Sequence, residues 1–318
     1  MVLAPERAKR PSDYISVNKE KKQKKADCPF CLDSKVSAYE DRNKDFDQKN
    51  TYLIKNKFPA FIEEPELETP KLYKLEDNFY KMKLALGGHD VIVCRDHDTD
   101  LPNFSTEIFE DLYHTFRDRL KHYGEVSNVE YAMPIYNHGP QAAASIEHPH
   151  AQIFASAIVP NLVNRELTHT GTYYAEHKSC AFCDLIAHEQ DQNTRVIFEN
   201  EEFIAFTFYA ARFPFEIWVL PKKHESDFRN ISKSEINSLA KISKEIFGRL
   251  DETLKDPDLN FYIHSAPLQT GESNSYHYHL EITPRLSVYG GYEIGSGMVI
   301  DIVSAEQAAE FLRLSQKN

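Results

Sequence analysis

Two Cys-x-x-Cys pairs, CPFC and CAFC, constrain the fold of this chain more than any other feature of its sequence. Each pair is followed by strand-like segments, a histidine, an amphipathic helix, another strand and an H-x-H triplet. The separation between the lone histidine and the triplet is 51 residues in the first half and 53 in the second. This agreement indicates an internal duplication of an α+β unit of about 130–150 residues. The equivalent positions are Cys28 and Cys180, Cys31 and Cys183, His97 and His224, and His148 and His277.

The two Cys-His sets have the composition of metal sites. Paired Cys-x-x-Cys motifs in a reducing compartment indicate metal or redox chemistry rather than structural disulfides. A thioredoxin-like motif would be an isolated pair that opens a helix, whereas two pairs with distant histidines favour zinc. Four thiolate and imidazole ligands close a tetrahedral structural zinc site. We therefore predict one structural zinc ion per half, held by Cys28, Cys31, His97 and His148 and by Cys180, Cys183, His224 and His277.

An alternative exists for one histidine of each set. His97 and His224 both follow apolar strand-like segments, and the alternative is that they are surface histidines at strand ends. His89 competes with His97 in the first half. It aligns with Glu216 rather than with His224, which makes it the weaker candidate.

The chain is acidic, and this argues against nucleic acid as a partner. Its 318 residues include 37 Lys and Arg against 49 Asp and Glu, a net charge of −12. A nucleic-acid-binding protein needs a basic face, so a zinc-finger nucleic-acid binder is disfavoured. The N-terminal segment MVLAPERAKRPSDY has no apolar signal region, and no apolar run approaches the roughly 20 residues of a membrane span. We expect a soluble, cytoplasmic protein.

Apolar periodicity predicts the main elements. STEIFEDLYHTFRDRLKHYG has helical spacing, with Ser105 at its start and Gly124 at its end. SKSEINSLAKISKEIFGRLDETLK reads as a second long amphipathic helix. Strand-like segments surround each helix. The predicted division is an N-terminal catalytic domain over residues 1–170 and a C-terminal domain over residues 171–318.

The segment SIEHPHAQIFAS places three nitrogen-bearing side chains at alternate positions. His148, His150 and Gln152 would project from one face of a strand, because alternate strand residues face the same side. That arrangement is costly in a core and useful in a site. Pro149 has no N–H and a fixed φ, so it stiffens the strand that presents His150.

Several segments together resemble one family. HPHAQ is similar to the His-Pro-His-x-Gln motif of galactose-1-phosphate uridylyltransferases, which belong to the histidine-triad superfamily. MVLAPERAKRP, NHGPQAAASIEHPHAQ, FPFEIWVLPKKH, HYHLEITP and GGYE match further blocks of that family in order. The resemblance covers nearly the whole chain. It implies an α+β fold of two tandem histidine-triad-like domains, each an antiparallel sheet with helices, in a protein that is commonly a homodimer.

Two segments depart from that pattern. The second half keeps CAFC, which many uridylyltransferases lack. EIGSGMVIDIVSAEQAAEF is closer to the related ADP-glucose phosphorylase branch. The nucleotide base, uridine or adenosine, is therefore open.

The resemblance implies nucleotidyl transfer by double displacement. His150 would attack the α-phosphorus of a nucleotide-sugar, sugar 1-phosphate would leave, and a phosphate-bearing acceptor would attack the nucleotidyl-histidine. Histidine-triad hydrolases have a third histidine at the position of Gln152. Glutamine can donate a hydrogen bond to a phosphoryl oxygen but cannot exchange protons near neutral pH. This difference favours a transferase over a hydrolase.

The resemblance also assigns substrate contacts. Asn137 and Ser145 would contact the phosphates, Asn56 the nucleoside and Glu293 the sugar hydroxyls. Arg7 and Arg10 would meet substrate phosphate, because a guanidinium donates two hydrogen bonds at once. The alternative for both arginines is a basic tail.

The second half, HYHLE, lacks the proline and glutamine of HPHAQ, so we expect a scaffold without turnover. Its histidines match a second metal site of some family members as well as the CAFC set. His277 cannot serve both sets, and the two thiolates favour the CAFC set. The competing set is Glu166, His264, His277 and His279.

Three functional hypotheses follow. UDP-glucose:hexose-1-phosphate uridylyl transfer leads, and phosphorolysis of ADP-glucose is the close alternative. A zinc-stabilised nucleotide-binding protein without turnover is a hypothesis of another class, and the intact HPHAQ argues against it.

Overall fold

The computed structural model describes residues 2–3, 25–63 and 85–315. Arg7 and Arg10 lie outside the described residues. The described residues form eleven strands and six α-helices. The strands are β1 (Val2–Leu3), β2 (Thr51–Lys55), β3 (Gly87–Cys94), β4 (Tyr131–His138), β5 (His150–Ser156), β6 (Val196–Glu199), β7 (Phe203–Thr207), β8 (Ile217–Pro221), β9 (Leu259–His264), β10 (His279–Pro284) and β11 (Ile300–Asp301). The helices are α1 (Thr106–Gly124), α2 (Asn161–His177), α3 (Ala181–Gln192), α4 (Lys233–Leu254), α5 (Gly291–Ser296) and α6 (Ala305–Leu314).

Nine of the strands form one antiparallel sheet, in the order β2-β3-β5-β4-β9-β10-β8-β7-β6. In this order, the first four strands, β2, β3, β5 and β4, come from the first half. The remaining five, β9, β10, β8, β7 and β6, come from the second half. The halves join where β4 pairs with β9, with Tyr136 opposite Phe261 and Asn137 opposite Asn260. The antiparallel sheets of the two units are therefore continuous. β1 and β11 form a separate parallel pair.

One face of the sheet is covered by the two long helices that the sequence predicts. α1 and α4 pack against each other, and the rings of Phe109 and Phe247 stack with centroids 5.6 Å apart. The Ser105 side chain caps α1 by accepting the Ile108 N–H, as the sequence indicates. Because burying each such phenylalanine contributes about 1.5–3 kcal/mol, this shared core holds both halves on one layer.

The opposite face carries two smaller apolar clusters, one in each half. The first contains Cys28 and Phe30 packed on β2 and β3. The second contains Cys180 and Phe182 packed on β6, β7 and β8. Each Cys-x-x-Cys segment thus lies against the sheet on the face that is free of α1 and α4. The duplication inferred from the sequence is visible as this pair of clusters.

Between the halves, α2 and α3 follow one another and cover residues 161–192. The predicted division between residues 170 and 171 falls inside α2. CAFC spans the start of α3, with Cys180 as the residue that precedes the helix. In the described parts of the chain, no helix combines the length and apolar composition that a bilayer span requires.

Candidate active site and metal centres

The candidate nucleophile lies on β5, in the interior of the sheet. His150 pairs with Val93 of β3, and Gln152 pairs with Val91, so both side chains leave the face that carries the Cys28 cluster. His150 is buried, and the ring of Phe30 lies against it with centroids 5.2 Å apart. His150 and Gln152 therefore share one face of β5, as the alternation in HPHAQ predicts.

The His150 ring has a defined tautomer. Its Nδ1 lies 2.9 Å from the carbonyl oxygen of His148, which can only accept, so Nδ1 carries the proton and donates it. Nε2 is then left with its lone pair. Burial lowers the pKa of His150, against the smaller opposing effect of that carbonyl. The ring is therefore neutral near pH 7, which is the state that a nucleophile requires.

The four first-half residues predicted as metal ligands lie together. Their ligand atoms are all within 4.8 Å of one another. Cys31 Sγ lies 3.1 Å from His97 Nδ1, Cys28 Sγ lies 3.4 Å from His148 Nδ1, and the two Nδ1 atoms are 3.0 Å apart. His148 donates from Nε2 to the Cys94 carbonyl oxygen at 2.6 Å. That bond leaves the Nδ1 lone pair directed at the thiols, as in metal sites whose ligands are oriented by backbone carbonyls.

The chemistry of this set fits a metal ion. Burial, with the charge of Cys28, raises the pKa of Cys31 to about 11, so two thiolates are unfavourable there without a cation. Burial also lowers the pKa of His148 to about 4, which keeps its imidazole neutral. Two sulfur and two nitrogen donors around one point form the set that tetrahedral metal sites use. The cluster can therefore hold a metal.

The second-half set repeats this geometry. Cys183 Sγ lies 3.4 Å from His224 Nδ1 and 3.6 Å from His277 Nδ1. His277 donates from Nε2 to the Pro221 carbonyl oxygen at 2.9 Å, and Pro221 ends β8 as Cys94 ends β3. A hydrogen bond from Cys183 lowers the pKa of Cys180 to about 4. This CxxC does open a helix, but it lies beside two histidines and can also hold a metal.

A third group occupies the place that corresponds to the nucleophile in the second half. The structure brings Glu281 into this group and places His277 with the cysteines, so the two sets share no residue. This differs from the competing set named from the sequence, which contained His277. Alternation along HYHLE puts Glu281 on the same face as His279, as Gln152 is on the face of His150. The members of the group are Glu166, His264, His279 and Glu281.

The third group is a buried network of charges. Arg212 contacts the carboxylates of Glu281 and Glu216, and Tyr262 donates to Glu281 at 2.7 Å. Burial opposes ionisation of Glu281, but His264, His279 and Arg212 together outweigh it and hold the pKa of that carboxyl below its usual range. A phosphate group would meet two carboxylates here. That the second half is a scaffold without turnover stays a prediction.

The residues assigned to substrate contacts lie on different elements. Asn56 follows β2, where its Oδ1 accepts the Phe58 N–H at 2.9 Å. Asn137 lies on β4 beside the second half, and Ser145 is exposed in the loop before β5. Glu293 lies on α5, where its carboxylate accepts the Gly290 N–H at 2.9 Å.

His89 is a site residue whose role the sequence did not reveal. The sequence presents it only as a rival of His97 for the first metal set, whereas the structure places it on β3, with Nε2 2.8 Å from Gln152 Oε1. Its ring stacks on Phe154 with centroids 4.0 Å apart. A histidine two residues before a buried apolar strand segment gives no local signal of this cross-strand contact. A cavity of about 720 Å³ adjoins it, lined by Asn56, Phe61, Gly88, His89 and Tyr123 among others.

Fold and site define a class of protein: two histidine-triad-like α+β units joined in one antiparallel sheet, each with a buried histidine beside a Cys-Cys-His-His cluster. Models of the two domains of galactose-1-phosphate uridyl transferase match both halves, the N-terminal domain over residues 1–160 and the C-terminal domain over residues 166–317. The chain therefore belongs to the galactose-1-phosphate uridyl transferase family.

Individual relatives include two named activities. The chain is 30% identical over 320 residues to an ADP-glucose phosphorylase of Arabidopsis thaliana, covering 98% of this chain and 89% of that protein. It is 30% identical over 327 residues to a galactose-1-phosphate uridylyltransferase of Haemophilus influenzae, covering 98% and 90%. A solved ADP-glucose phosphorylase from Arabidopsis thaliana with bound ADP-glucose has a TM-score of 0.78 at 29% identity, covering 98% of this chain and 94% of that chain. The predicted family and fold class are confirmed.

Proposed function

We propose that this protein is a nucleotidyltransferase that acts on nucleotide-sugars through a covalent nucleotidyl-histidine, with UDP-glucose:hexose-1-phosphate uridylyl transfer as the leading activity. One observation carries the proposal: the buried, neutral His150 ring donates from Nδ1 to the His148 carbonyl oxygen and keeps the lone pair of Nε2. Family membership supports the same chemistry.

The reaction has two displacements at one phosphorus atom. His150 Nε2 forms a bond to the α-phosphorus, the bond from that phosphorus to the sugar-phosphate oxygen breaks, and sugar 1-phosphate leaves with the electron pair. An oxygen of the acceptor phosphate then attacks the same phosphorus, and the phosphorus–nitrogen bond returns its electron pair to Nε2. While the nucleotidyl group is attached, the imidazole ring is cationic, and the His148 carbonyl stabilises it through the Nδ1–H.

Gln152 favours transfer over hydrolysis. A sugar phosphate leaving group and a phosphate acceptor are already anionic, so neither needs a proton shuttle. Water does need a base to remove its proton, and an amide cannot act as one. Gln152 instead stabilises the charge of the transferring phosphoryl group by donating a hydrogen bond.

The proposed substrate contacts complete the site. Asn56 and the adjoining cavity would hold the nucleoside, since a volume of about 720 Å³ lies in the usual range for small-molecule sites. Asn137 and Ser145 would contact the phosphates and Glu293 the sugar hydroxyls. Arg7 and Arg10 would bind substrate phosphate. We propose that the protein is a homodimer, as the family resemblance implies, and that it is cytoplasmic.

We propose zinc as the metal of both Cys-Cys-His-His clusters. Zn–N and Zn–S bonds in a tetrahedron separate the ligand atoms by about 3.3–3.8 Å. Several separations between ligand atoms within the two clusters, of 3.0–3.6 Å, are close to this range. Bound zinc would fix His148, and so the start of β5, without entering the reaction.

Phosphorolysis of ADP-glucose is the second candidate. The 30% identity to an ADP-glucose phosphorylase over 98% of this chain favours it, as does the EIGSGMVIDIVSAEQAAEF segment. Both reactions transfer a nucleotidyl group from a nucleotide-sugar to a phosphate oxygen. The phosphorylase reaction uses adenosine in place of uridine and inorganic phosphate in place of sugar 1-phosphate. The site chemistry described above serves both.

Intact-mass measurement after mixing the protein with UDP-glucose or ADP-glucose tests the proposal. We expect a uridylyl adduct on the wild type, no adduct on His150→Ala, and retention on His188→Ala, which changes an exposed histidine of α3. An adenylyl adduct in its place assigns the phosphorylase activity. Nucleotide binding without any adduct contradicts the proposal and favours a zinc-stabilised nucleotide-binding protein.

A further inference from the structure

We propose that His89 and Asn260 are positioning residues that fix the orientation of the two amides of the site, Gln152 and Asn137, so that both present their NH2 groups to phosphoryl oxygens. The inference rests on the proposed function for the identity of the ligand, while the amide orientations follow from hydrogen bonding alone. An amide carries an acceptor at one end and donors at the other, so its orientation decides whether it attracts or repels an anion.

The first relay, a chain of two hydrogen bonds that ends at Gln152, begins at a backbone N–H. Ala60 N lies 3.1 Å from His89 Nδ1, and a backbone N–H can only donate, so Nδ1 is unprotonated. Burial lowers the pKa of His89, so the ring is neutral and its single proton is on Nε2. Nε2 lies 2.8 Å from Gln152 and donates to it, which makes the nearer atom of that amide its oxygen. The NH2 group of Gln152 is therefore turned away from His89.

The Asn56 amide does not reverse this assignment. Its Oδ1 is held by the Phe58 N–H, so Nδ2 is the atom that lies 3.2 Å from His89 Nε2. Two donors meet there, and the contact adds no second hydrogen bond. The geometry of the strands explains the main contact, because His89 and Gln152 are diagonal neighbours on β3 and β5, each opposite the residue two positions from the other.

The second relay begins at a backbone carbonyl in the first half and passes through a residue of the second half. Asn260 lies 2.8 Å from the Ala142 carbonyl oxygen, which can only accept, so the contacting atom is Nδ2. The same Nδ2 lies 2.8 Å from Asn137, which must accept and so presents Oδ1. The NH2 group of Asn137 then faces away from Asn260. Asn137 and Asn260 are paired residues at the β4–β9 junction.

The two relays share one design. In each relay, the oxygen of a site amide accepts a hydrogen bond from a neighbouring side chain. A backbone group fixes the orientation of that side chain. The free ends are donors only, and a site that must bind anionic phosphoryl oxygens needs donors. Without the relays, each amide could rotate by half a turn at low cost and present its oxygen to the anion.

A double-mutant cycle tests the His89 relay. His89→Phe keeps an aromatic ring on Phe154 and removes both hydrogen bonds. We expect it to slow adduct formation on His150 about tenfold in a single turnover, and to have less than about a twofold effect in the Gln152→Ala background. Equal effects in both backgrounds would show that His89 acts independently of Gln152 and would overturn the proposal. His188→Phe, at an exposed position, is the matched control and leaves the rate unchanged.

Asn260→Asp tests the second relay with a nearly isosteric change. Both oxygens of the introduced carboxylate accept hydrogen bonds, so Asn137 turns its NH2 inward and loses it from the phosphate side. We expect a rate loss of about tenfold that is absent in the Asn137→Ala background. Asn260→Asp with the full wild-type rate, or with an equal loss in both backgrounds, would overturn this relay.

A measurement without substrate separates this inference from the proposed function. In protein labelled with 15N-histidine, the signals that disappear in His89→Phe belong to His89. The inference requires a neutral ring protonated at Nε2 at pH 7.5, and a proton on Nδ1 or a cationic ring would overturn it. A wild type that forms no adduct with either nucleotide-sugar contradicts the proposed function but leaves this result standing.

Discussion

The carbonyl oxygen of His148 lies 2.9 Å from Nδ1 of His150, while the side chain of the same His148 belongs to the first Cys-Cys-His-His cluster. One residue therefore faces the candidate metal cluster with its ring and the proposed nucleophile with its backbone. Its Nε2 is also held by the Cys94 carbonyl at the end of β3. Because His148 and His150 are two residues apart, a change in the cluster can alter the position of His150 Nε2.

We predict that the two clusters differ in their effect on activity. Cys31→Ser should lose about one metal ion per chain and slow adduct formation at least about tenfold, because the residues that present His150 lose their anchor. The equivalent change Cys183→Ser should also lose about one ion but leave adduct formation within about threefold of wild type. Elemental analysis and single-turnover mass measurements check both variants. Equal losses of rate would contradict this asymmetry.

We predict that Gln152→His shifts the balance from transfer toward hydrolysis. An imidazole at this position can exchange protons with water, which the amide cannot do. The ratio of nucleotide-sugar hydrolysis to transfer should rise by up to about 10²-fold, the lower range for general acid–base catalysis. Product analysis with and without acceptor phosphate measures the ratio. Gln152→Asn, which keeps the amide, is the control, and a ratio that rises equally in both variants would argue against the role of the amide.

Gly139→Ala should weaken the loop between β4 and β5, which carries Ser145, one of the two residues proposed to contact the phosphates. Gly139 has φ of +82°, and an added Cβ would collide with the carboxylate of Asp258, which accepts the Gln141 N–H at 2.6 Å. We expect a loss of about 1–3 kcal/mol in the free energy of unfolding and slower adduct formation. Urea denaturation and single-turnover kinetics measure the two effects.

The matched control for that variant is Gly248→Ala. Gly248 lies in α4 with open space around the position of a Cβ. Alanine there should raise the free energy of unfolding by up to about 1 kcal/mol and leave the kinetics unchanged. A Gly139→Ala protein as stable and as fast as wild type would show that the loop tolerates the collision.

The buried neutral His89 predicts a pH dependence of stability. Its pKa in the folded protein is lowered by burial, so the unfolded chain protonates first as the pH falls below about 6.5. The stability that the neutral ring contributes is present above that pH and is lost as the pH falls toward the folded pKa. Urea denaturation at pH 7.5 and 5.5 should show a smaller loss for His89→Phe than for wild type. His188→Phe should lose as much stability as wild type. The same loss in all three proteins would exclude a buried neutral His89.

Sequence periodicity was sufficient for the elements with a strong local signal. The α1 boundaries follow from Ser105, whose side chain caps the helix, and from Gly124, where the helix ends. The two Cys-Cys-His-His clusters are also predictable, because the duplication marks the same positions twice. In contrast, α2 was not predicted, since only Val163 and Thr170 of its 17 residues are buried and the helix has no full apolar stripe.

The sequence does not predict which side chains meet when their strands are far apart along the chain. The pairing of Asn137 with Asn260 joins residues 123 positions apart, and neither residue has a local pattern that identifies the other. His89 and Gln152 are 63 positions apart and meet only because β3 and β5 are neighbours in a particular register. Alternation along HYHLE places Glu281 on the face of His279, but the sequence does not show that Arg212 and Tyr262 contact this carboxylate.

The β4–β9 junction also determines what each half could do without the other. Each half contributes a strand whose backbone N–H and C=O groups on one side are satisfied only by its counterpart. Cleavage of the chain between α2 and α3 would therefore create two fragments with complementary exposed edges. We expect such fragments to reassociate when mixed, and each one alone to self-associate through the same edge.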